Sequence, residues 1–269
     1  MGVVKMASEL ADVKYDVAVA NRVLSAIGLA TGPLVSLGHA SWRLPSDPNK
    51  FVVKGRGYEL DALPLMRPED MIVCDLDGYK IDGPPGSTQC YEVQLHACIY
   101  KTHPDVQSVV HCHPRYTVVM SVLQATLLPM CNEGIQLVRK PLPVWPHNKI
   151  ITSLEEGMEV AEAMGDSKAV LLQGHGAATT GNNLGESVIN MLNLEEQAKM
   201  NWYAYCAAGP AHASIPEELI AESANRPQLP ELPHFKDLMA TQGDPRTRGA
   251  VNAVFAYYAQ LVSQDLKRA

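Results

Sequence analysis

No two of the six cysteines (Cys74, Cys90, Cys98, Cys112, Cys131 and Cys206) stand in a C-x-x-C pair. Scattered in this way they exclude a zinc knuckle and outline no disulfide framework. In a reducing compartment such thiols act as small hydrophobes. Long apolar runs are missing too, and none would cross a bilayer. Positive charge is in deficit: 22 Lys and Arg against 29 Asp and Glu leave a net charge of −7. Neither a nucleic-acid backbone nor an anionic membrane is indicated as a partner. The first stretch, MGVVKMASELADVKYD, has no apolar signal core and carries acids that a transit peptide avoids. Its Met6 stands where a myristoylation signal has Ser or Thr. A cytoplasmic location is the expectation. No internal repeat is found.

What is present is ordinary globular material: 269 residues, 46% hydrophobic and 19% charged, enough for a full core. Val13, Val17, Ala20, Leu24 and Ile27 recur at helical spacing within Ser8 to Ala30, and glycines end that helix. SLGHASWRL and FVVKGRGYEL read as strands around the turn Pro45 to Asn49, and MIVCDLDGYKI as a hairpin turning at Asp77-Gly78. Tyr91 to Lys101 is a short helix, Val106 to His113 a β-branched strand, and a further helix runs on to Val122. Pro129 to Val144 is short strand and loop, and Leu154 to Met164 is helical. AVLLQGHG is a buried strand entering a glycine turn, ATTG returns as another strand, and Asn183 to Ala207 is a long helix. Strands and helices without regular βαβ alternation imply an α/β fold: a three-layer α/β/α sandwich with a largely antiparallel central sheet. It is expected to be one domain over 1–269. Within it, 210–269 is a Pro-rich connecting segment plus a C-terminal helix, Arg248 to Arg268, appended to the rest.

His111 and His113 stand two apart on an expected strand, so both side chains point to one face and Cys112 to the other. Imidazoles about 7 Å apart along a strand can converge on one ion. His175 supplies a third ligand from between Gly174 and Gly176, which let the backbone turn sharply into a crowded site. Either motif alone has a bland alternative: H-x-H arises by chance, and G-H-G can be a turn around a core histidine. Glu92 heads the helix that leads into the H-x-H strand. It is either a capping acid favoured by the helix dipole, or a ligand or acid/base group beside the metal. His96, one turn further on, is read as packing or as support rather than as a ligand.

Glu92-x-x-x-His96, then Pro104-Asp105-Val106, then V-V-His111-x-His113-P, then Gly174-His175-Gly176-Ala177 together resemble the class II aldolase/adducin family. The resemblance spans roughly Val17 to Ala208. It implies a three-layer α/β/α fold and usually a homotetramer with active sites at subunit interfaces. By position it makes His111, His113 and His175 the metal ligands and Glu92 the catalytic glutamate. Adducin-type members without activity lack the histidines, and this chain keeps them. In sugar-phosphate aldolases a Gly-Asn loop and a Ser-Ser pair before the glutamate hold phosphate. Here SLGHASWRL and Cys90-Tyr91 stand in their place, which argues against a phosphate monoester. GHASWR, Gly38 to Arg43, resembles the G-H-x-S-x-R signature of a branch of decarboxylases of hydroxylated aromatic or heteroaromatic acids.

The expected chemistry is therefore heterolytic carbon–carbon cleavage, with a divalent metal as Lewis acid and a small-molecule carboxylate as substrate. Glu92, His39 and Tyr116 are the candidate proton donors, and donation by Glu92 near neutrality requires a raised pKa that burial can supply. Arg43, Arg115 and Tyr91 are the candidate substrate contacts; Arg43 and His39 have the alternative of holding a strand edge, and Arg115 and Tyr116 of starting a helix. Zinc is the first expectation for the metal, with manganese, cobalt, iron or nickel as alternatives. A decarboxylase is preferred over an aldolase acting on a hydroxy-keto, pyruvate-type substrate. An adducin-like interaction module is the alternative outside enzymes.

Overall fold

A computed structural model describes residues 2–227, 231–235 and 250–268. The chain runs α1 (Gly2–Ala26), β1 (Gly38–Leu44), β2 (Asp47–Arg56), β3 (Met71–Asp75), β4 (Lys80–Asp82), β5 (Thr88–Gln89) and α2 (Val93–Thr102). It continues through β6 (Ser108–Cys112), α3 (Arg115–Val122), α4 (Ile135–Val138), β7 (Val144–Trp145), α5 (Leu154–Met164), β8 (Ala169–Leu172) and β9 (Gly176–Gly181). Three further helices follow, α6 (Leu184–Ala208), α7 (Glu217–Ala224) and α8 (Ala250–Val262).

The strands form one sheet in the order β4-β3-β2-β1-β6-β9-β8-β7, with β5 beside β2. Every pairing is antiparallel except β7 with β8. Alternation along each strand divides its side chains between two cores. Val52, Val110, Leu171 and Ala177 face α1 and α6, packing with Val17, Leu24, Val188 and Leu194. Phe51, Val53, Val109, Val170 and Ala178 face α2 and α5, packing with Leu95, Ile99 and Val160. The result is the expected three-layer α/β/α sandwich. Helix α5 starts on a capping box, in which Ser153 Oγ accepts from Glu156 N and the Glu156 carboxylate accepts from Ser153 N.

Three expectations need correction. His113 lies one residue past the end of β6 rather than on it. The segments read as strand and loop or as connection contain helices α4 and α7, and α7 buries Ile220. The C-terminal helix is not an appendage: Phe255, Tyr258 and Val262 pack on the α1–α6 core. Buried Arg22 of α1 donates to the Val262 carbonyl at 2.9 Å and to Asp265 at 2.5 Å, closing the chain against its first helix. Residues 248 and 249, where that helix was expected to begin, lie outside the described residues. No helix among the described residues is long and apolar enough to cross a membrane.

Candidate active site

Strand register creates the site. His39 of β1 lies directly opposite His111 of β6, and both project to the α2 face, where their ring centroids stand 5.2 Å apart. A register slip of one residue would turn His39 to the other layer. Asn21 of α1 accepts from the Ala40 amide at 3.1 Å and fastens this strand from behind. Cys112 faces the α1–α6 core, as the alternation requires.

His175 enters from the β8–β9 turn, and its two glycines serve different ends. Gly174 has a φ of +70°, which L side chains rarely adopt. A Cβ on Gly176 would instead collide with the Cys112 carbonyl oxygen, so this glycine allows close strand approach. Glu92 occupies the position before α2, but its carboxylate makes no capping bond there. It turns instead toward the histidines and accepts from the Ile151 amide at 3.2 Å.

Four side chains thus converge. Glu92 Oε2 is 3.1 Å from His111 Nε2 and Glu92 Oε1 is 3.3 Å from His175 Nε2. His113 Nε2 is 3.0 Å from His111 Nε2. One ligand atom from each residue lies within 4.8 Å of the others. His111 Nδ1 faces the Ala177 carbonyl at 3.0 Å, which turns its Nε2 toward a carboxylate oxygen and another imidazole nitrogen at contact distance. Such a cluster of acceptors calls for a positive charge among them. Burial first, then the neighbouring His111, holds His113 down at about 3 and His175 at about 4, so both stay neutral near pH 7. Neutral imidazoles and one carboxylate, spaced about 3 Å apart, suit a divalent ion bound at roughly 2.1 Å. The donor set fits.

Burial pushes the Glu92 carboxyl up, as expected, but His111, His175 and the Ile151 amide outweigh it and hold the group at about 2. Glu92 is therefore an ionised acceptor here, not a donor with a raised pKa. His39 lies beside it, its Nε2 3.9 Å from Glu92 Oε2. Burial, reinforced by His96 and His111, lowers the His39 imidazole well below its ordinary value.

Other expected site residues are placed elsewhere. The Arg43 guanidinium donates to the carbonyls of Val106 at 3.0 Å, Pro48 at 2.5 Å and Tyr100 at 2.8 Å. It is a staple between strand and helix, with its donors occupied by backbone rather than offered to a substrate. Tyr116 packs beside Tyr203 of α6, its ring centroid 6.1 Å away, and is not among the four converging residues. Arg115 is exposed at the start of α3. Tyr91, also exposed, carries the Arg56 guanidinium 4.2 Å over its ring, immediately before Glu92. Sequence reasoning missed Arg56, and it missed half-buried Glu195, which accepts from the Tyr116 and Thr117 amides and holds the α3 start behind His113. No local motif marks either residue, since both act across the fold.

Residues 15–202 match the profile of the class II aldolase and adducin N-terminal domain. The chain belongs to the class II aldolase and adducin family. A 3,4-dihydroxyphthalate decarboxylase from Terrabacter sp. (strain DBF63) is 30% identical over 233 residues, covering 83% of this chain and 92% of that protein. An L-fuculose phosphate aldolase from Methanococcus maripaludis is 32% identical over 143 residues, covering 52% of this chain and 74% of its own. In structure, the L-fuculose 1-phosphate aldolase from Glaciozyma antarctica PI12 matches 96% of this chain and 91% of its own, with a TM-score of 0.73 at 23% identity. That last likeness speaks to the fold. Together with the site, the relatives make this member of the class II aldolase and adducin family an enzyme, a lyase.

Proposed function

We propose that this chain is a divalent-metal-dependent decarboxylase of a non-phosphorylated hydroxy-aromatic or heteroaromatic carboxylic acid. The observation that carries this reading is the pair of residues directly before Glu92. Where sugar-phosphate aldolases resemble one another in small hydroxyl donors before the glutamate, this chain has buried Cys90 and exposed Tyr91 beneath Arg56. Burial pushes the Cys90 thiol up to about 12, so it stays a protonated, weakly polar group. Arg56, stacked on Tyr91, is already paired with Asp61 at 2.8 Å, so this stretch offers neither the small hydroxyl donors nor the free cation that a phosphate monoester calls for. The extent of the similarity to 3,4-dihydroxyphthalate decarboxylases supports the same substrate class.

His111, His113 and His175 would hold the ion, with Glu92 beside it. When bound, a divalent cation supplies a Lewis acid, and zinc is the first choice for this donor set. Glu92, ionised in the free site, takes the proton of the substrate hydroxyl next to the departing carboxyl and delivers it to the ring carbon that bears that carboxyl. Carbon dioxide then leaves as the C–C bond electrons restore the ring, and the product phenolate takes a proton from solvent. His39 lies within reach of the same substrate oxygens.

The test is a panel of hydroxybenzoates, hydroxyphthalates and pyridine dicarboxylates given to protein reconstituted with zinc or manganese. Release of carbon dioxide from at least one, abolished by chelator, is the expected result. Silence across the panel, with pyruvate or glycolaldehyde released from aldol substrates, would replace this reading by an aldolase one. The likeness to L-fuculose phosphate aldolase makes that the second reading.

A further inference from the structure

A cavity of about 340 Å³ lies beside the turn that carries His175, and no step of the proposed chemistry uses it. Three segments close it: the end of α3 with the residues after it, the stretch 141–146, and the exit of β8. Leu171 in its wall faces the α1–α6 core, whereas His39 and His111 project to the α2 face. The cavity therefore stands on the other side of the sheet from those two rings. Its walls are mostly aliphatic, Leu142, Val144 and Leu171 among them, and no residue that lines it is charged. Among the described residues, the side-chain amides of Gln124 and Gln173 in the lining have no hydrogen-bond partner. Such a volume, apolar walls and a few uncommitted polar groups are the marks of a small-molecule site.

Gln124 is also strained. Among the described residues it alone, apart from glycines, has a positive φ, +51°. That conformation ends α3: the Gln124 amide donates to the Ser121 carbonyl and the Ala125 amide to the Met120 carbonyl. Glycine fills such a position without strain, and glutamine does not. A strained residue whose unpaired side chain lines a cavity points to contact with a ligand.

The cavity reaches the metal cluster through one turn. Ser121 Oγ, in the lining, accepts from the Gly174 amide at 3.0 Å. The Gln173 backbone amide donates to the Trp145 carbonyl at 3.1 Å. A Cβ on Gly174 would meet the Asn148 side-chain nitrogen at 3.2 Å and Val122 at 3.5 Å, so the turn has little slack. A molecule seated in the cavity packs against the segment that aims His175.

The geometry points to a further small-molecule site in this cavity, for an uncharged molecule with an apolar body and an amide or hydroxyl, coupled to His175 through Ser121 and Gly174. Gln124 and Gln173 each supply donors and an acceptor, and the aliphatic walls take the apolar body. An anion gains no partner there and loses its hydration. Filling the cavity stiffens the turn, so the ligand and a cation on His175 favour each other's binding. This site stands independently of the decarboxylase reading.

Benzamide and benzoate share an outline and differ in charge. Titration calorimetry with both, on the full chain without metal and with zinc, tests the site. Metal-free protein should bind benzamide about tenfold more tightly than benzoate. Val144→Trp, on an exposed edge strand, should fill the cavity and abolish that binding. Gln124→Gly should lower benzamide affinity several-fold and yet raise the melting temperature, because glycine relieves the strain. A residue that served the helix end alone would move only the stability. Benzamide should tighten zinc binding about fivefold in the wild type and not in Ser121→Ala, and zinc should tighten benzamide by the same factor. The site is overturned by equal binding of the two probes, or by benzamide affinity unmoved in Val144→Trp or Gln124→Gly. It is overturned too if benzamide does not bind, the outcome when a second copy of the chain covers the mouth. Zinc affinity indifferent to benzamide would overturn the coupling. Carbon dioxide release from the acid panel bears on the decarboxylase reading alone.

Discussion

Glu92 shows opposing effects meeting on one atom group. Burial disfavours its charge, yet two imidazoles and an amide hold it ionised at about 2. The histidines around it move the same way: His113 sits at about 3, His175 at about 4 and His96 at about 3, each lowered first by burial. Their folded values lie below the ordinary 6.5, so over this window the unfolded chain binds more protons than the folded one. Stability of the metal-free protein should therefore fall as pH drops from about 6.5 toward 3, and Glu92, held at about 2, extends the fall toward about 2. Thermal melting across that range checks it, and a flat profile would contradict it. Because protons compete with a cation only near the folded values, zinc should stay bound at about pH 5, where histidines titrating at 6.5 would release it. Metal analysis after dialysis at that pH reads this directly. Changing His111 to Ala should remove the ion at neutral pH while leaving the fold intact.

At the scale of elements, the instructive case is Arg43. Its sequence context suggested either a substrate contact or a strand-edge staple. The structure engages its guanidinium with carbonyls from β2, from α2 and from the start of the segment leading to β6. Arg43→Ala should destabilise the protein by about 3 kcal/mol, because several buried carbonyls lose a charged donor together. Arg43→Lys should recover little of this, since an ammonium cannot span the same fork of acceptors. Denaturant unfolding of both variants decides the matter; a raised KM at unchanged stability would instead restore the substrate role. The helix following His113 depends likewise on a distant residue, Glu195 of α6, which receives its first amides. Neither dependence leaves a trace in local spacing, whereas the hairpin at Asp77-Gly78 and the span of α5 did, because turn residues and caps act over a few positions.

For the molecule as a whole, the resemblance implies a homotetramer, and the surface supplies apolar area that such an assembly would cover. Val119, Val122 and Leu123 on and after α3 are exposed, as are Met200 and Tyr203 of α6. Patches of this kind on neighbouring helices mark protein interfaces. Light scattering should give four times the monomer mass, and Val122→Glu with Leu123→Glu should shift the protein toward smaller species. A monomer with full activity would remove the inter-subunit site from consideration.

The amino-acid sequence by itself singled out the candidate metal triad. Spacing puts His111 and His113 on one face, glycines on both sides of His175 permit its turn, and the motif string places Glu92 in the same family pattern. It also determined the layered fold, because alternation and helical periodicity are local properties of the chain. Only the tertiary structure decided the protonation of Glu92, which depends on how many imidazoles surround it. It alone removed Arg43 and Tyr116 from the cluster and brought His96, Ser41 and Tyr100 in behind His39. Those outcomes depend on contacts between β1, α2 and β6, which are distant in sequence, and on a strand register that no single segment encodes. The triad named at the start is thus local information, while the polar groups packed behind His39 are a property of the assembled fold.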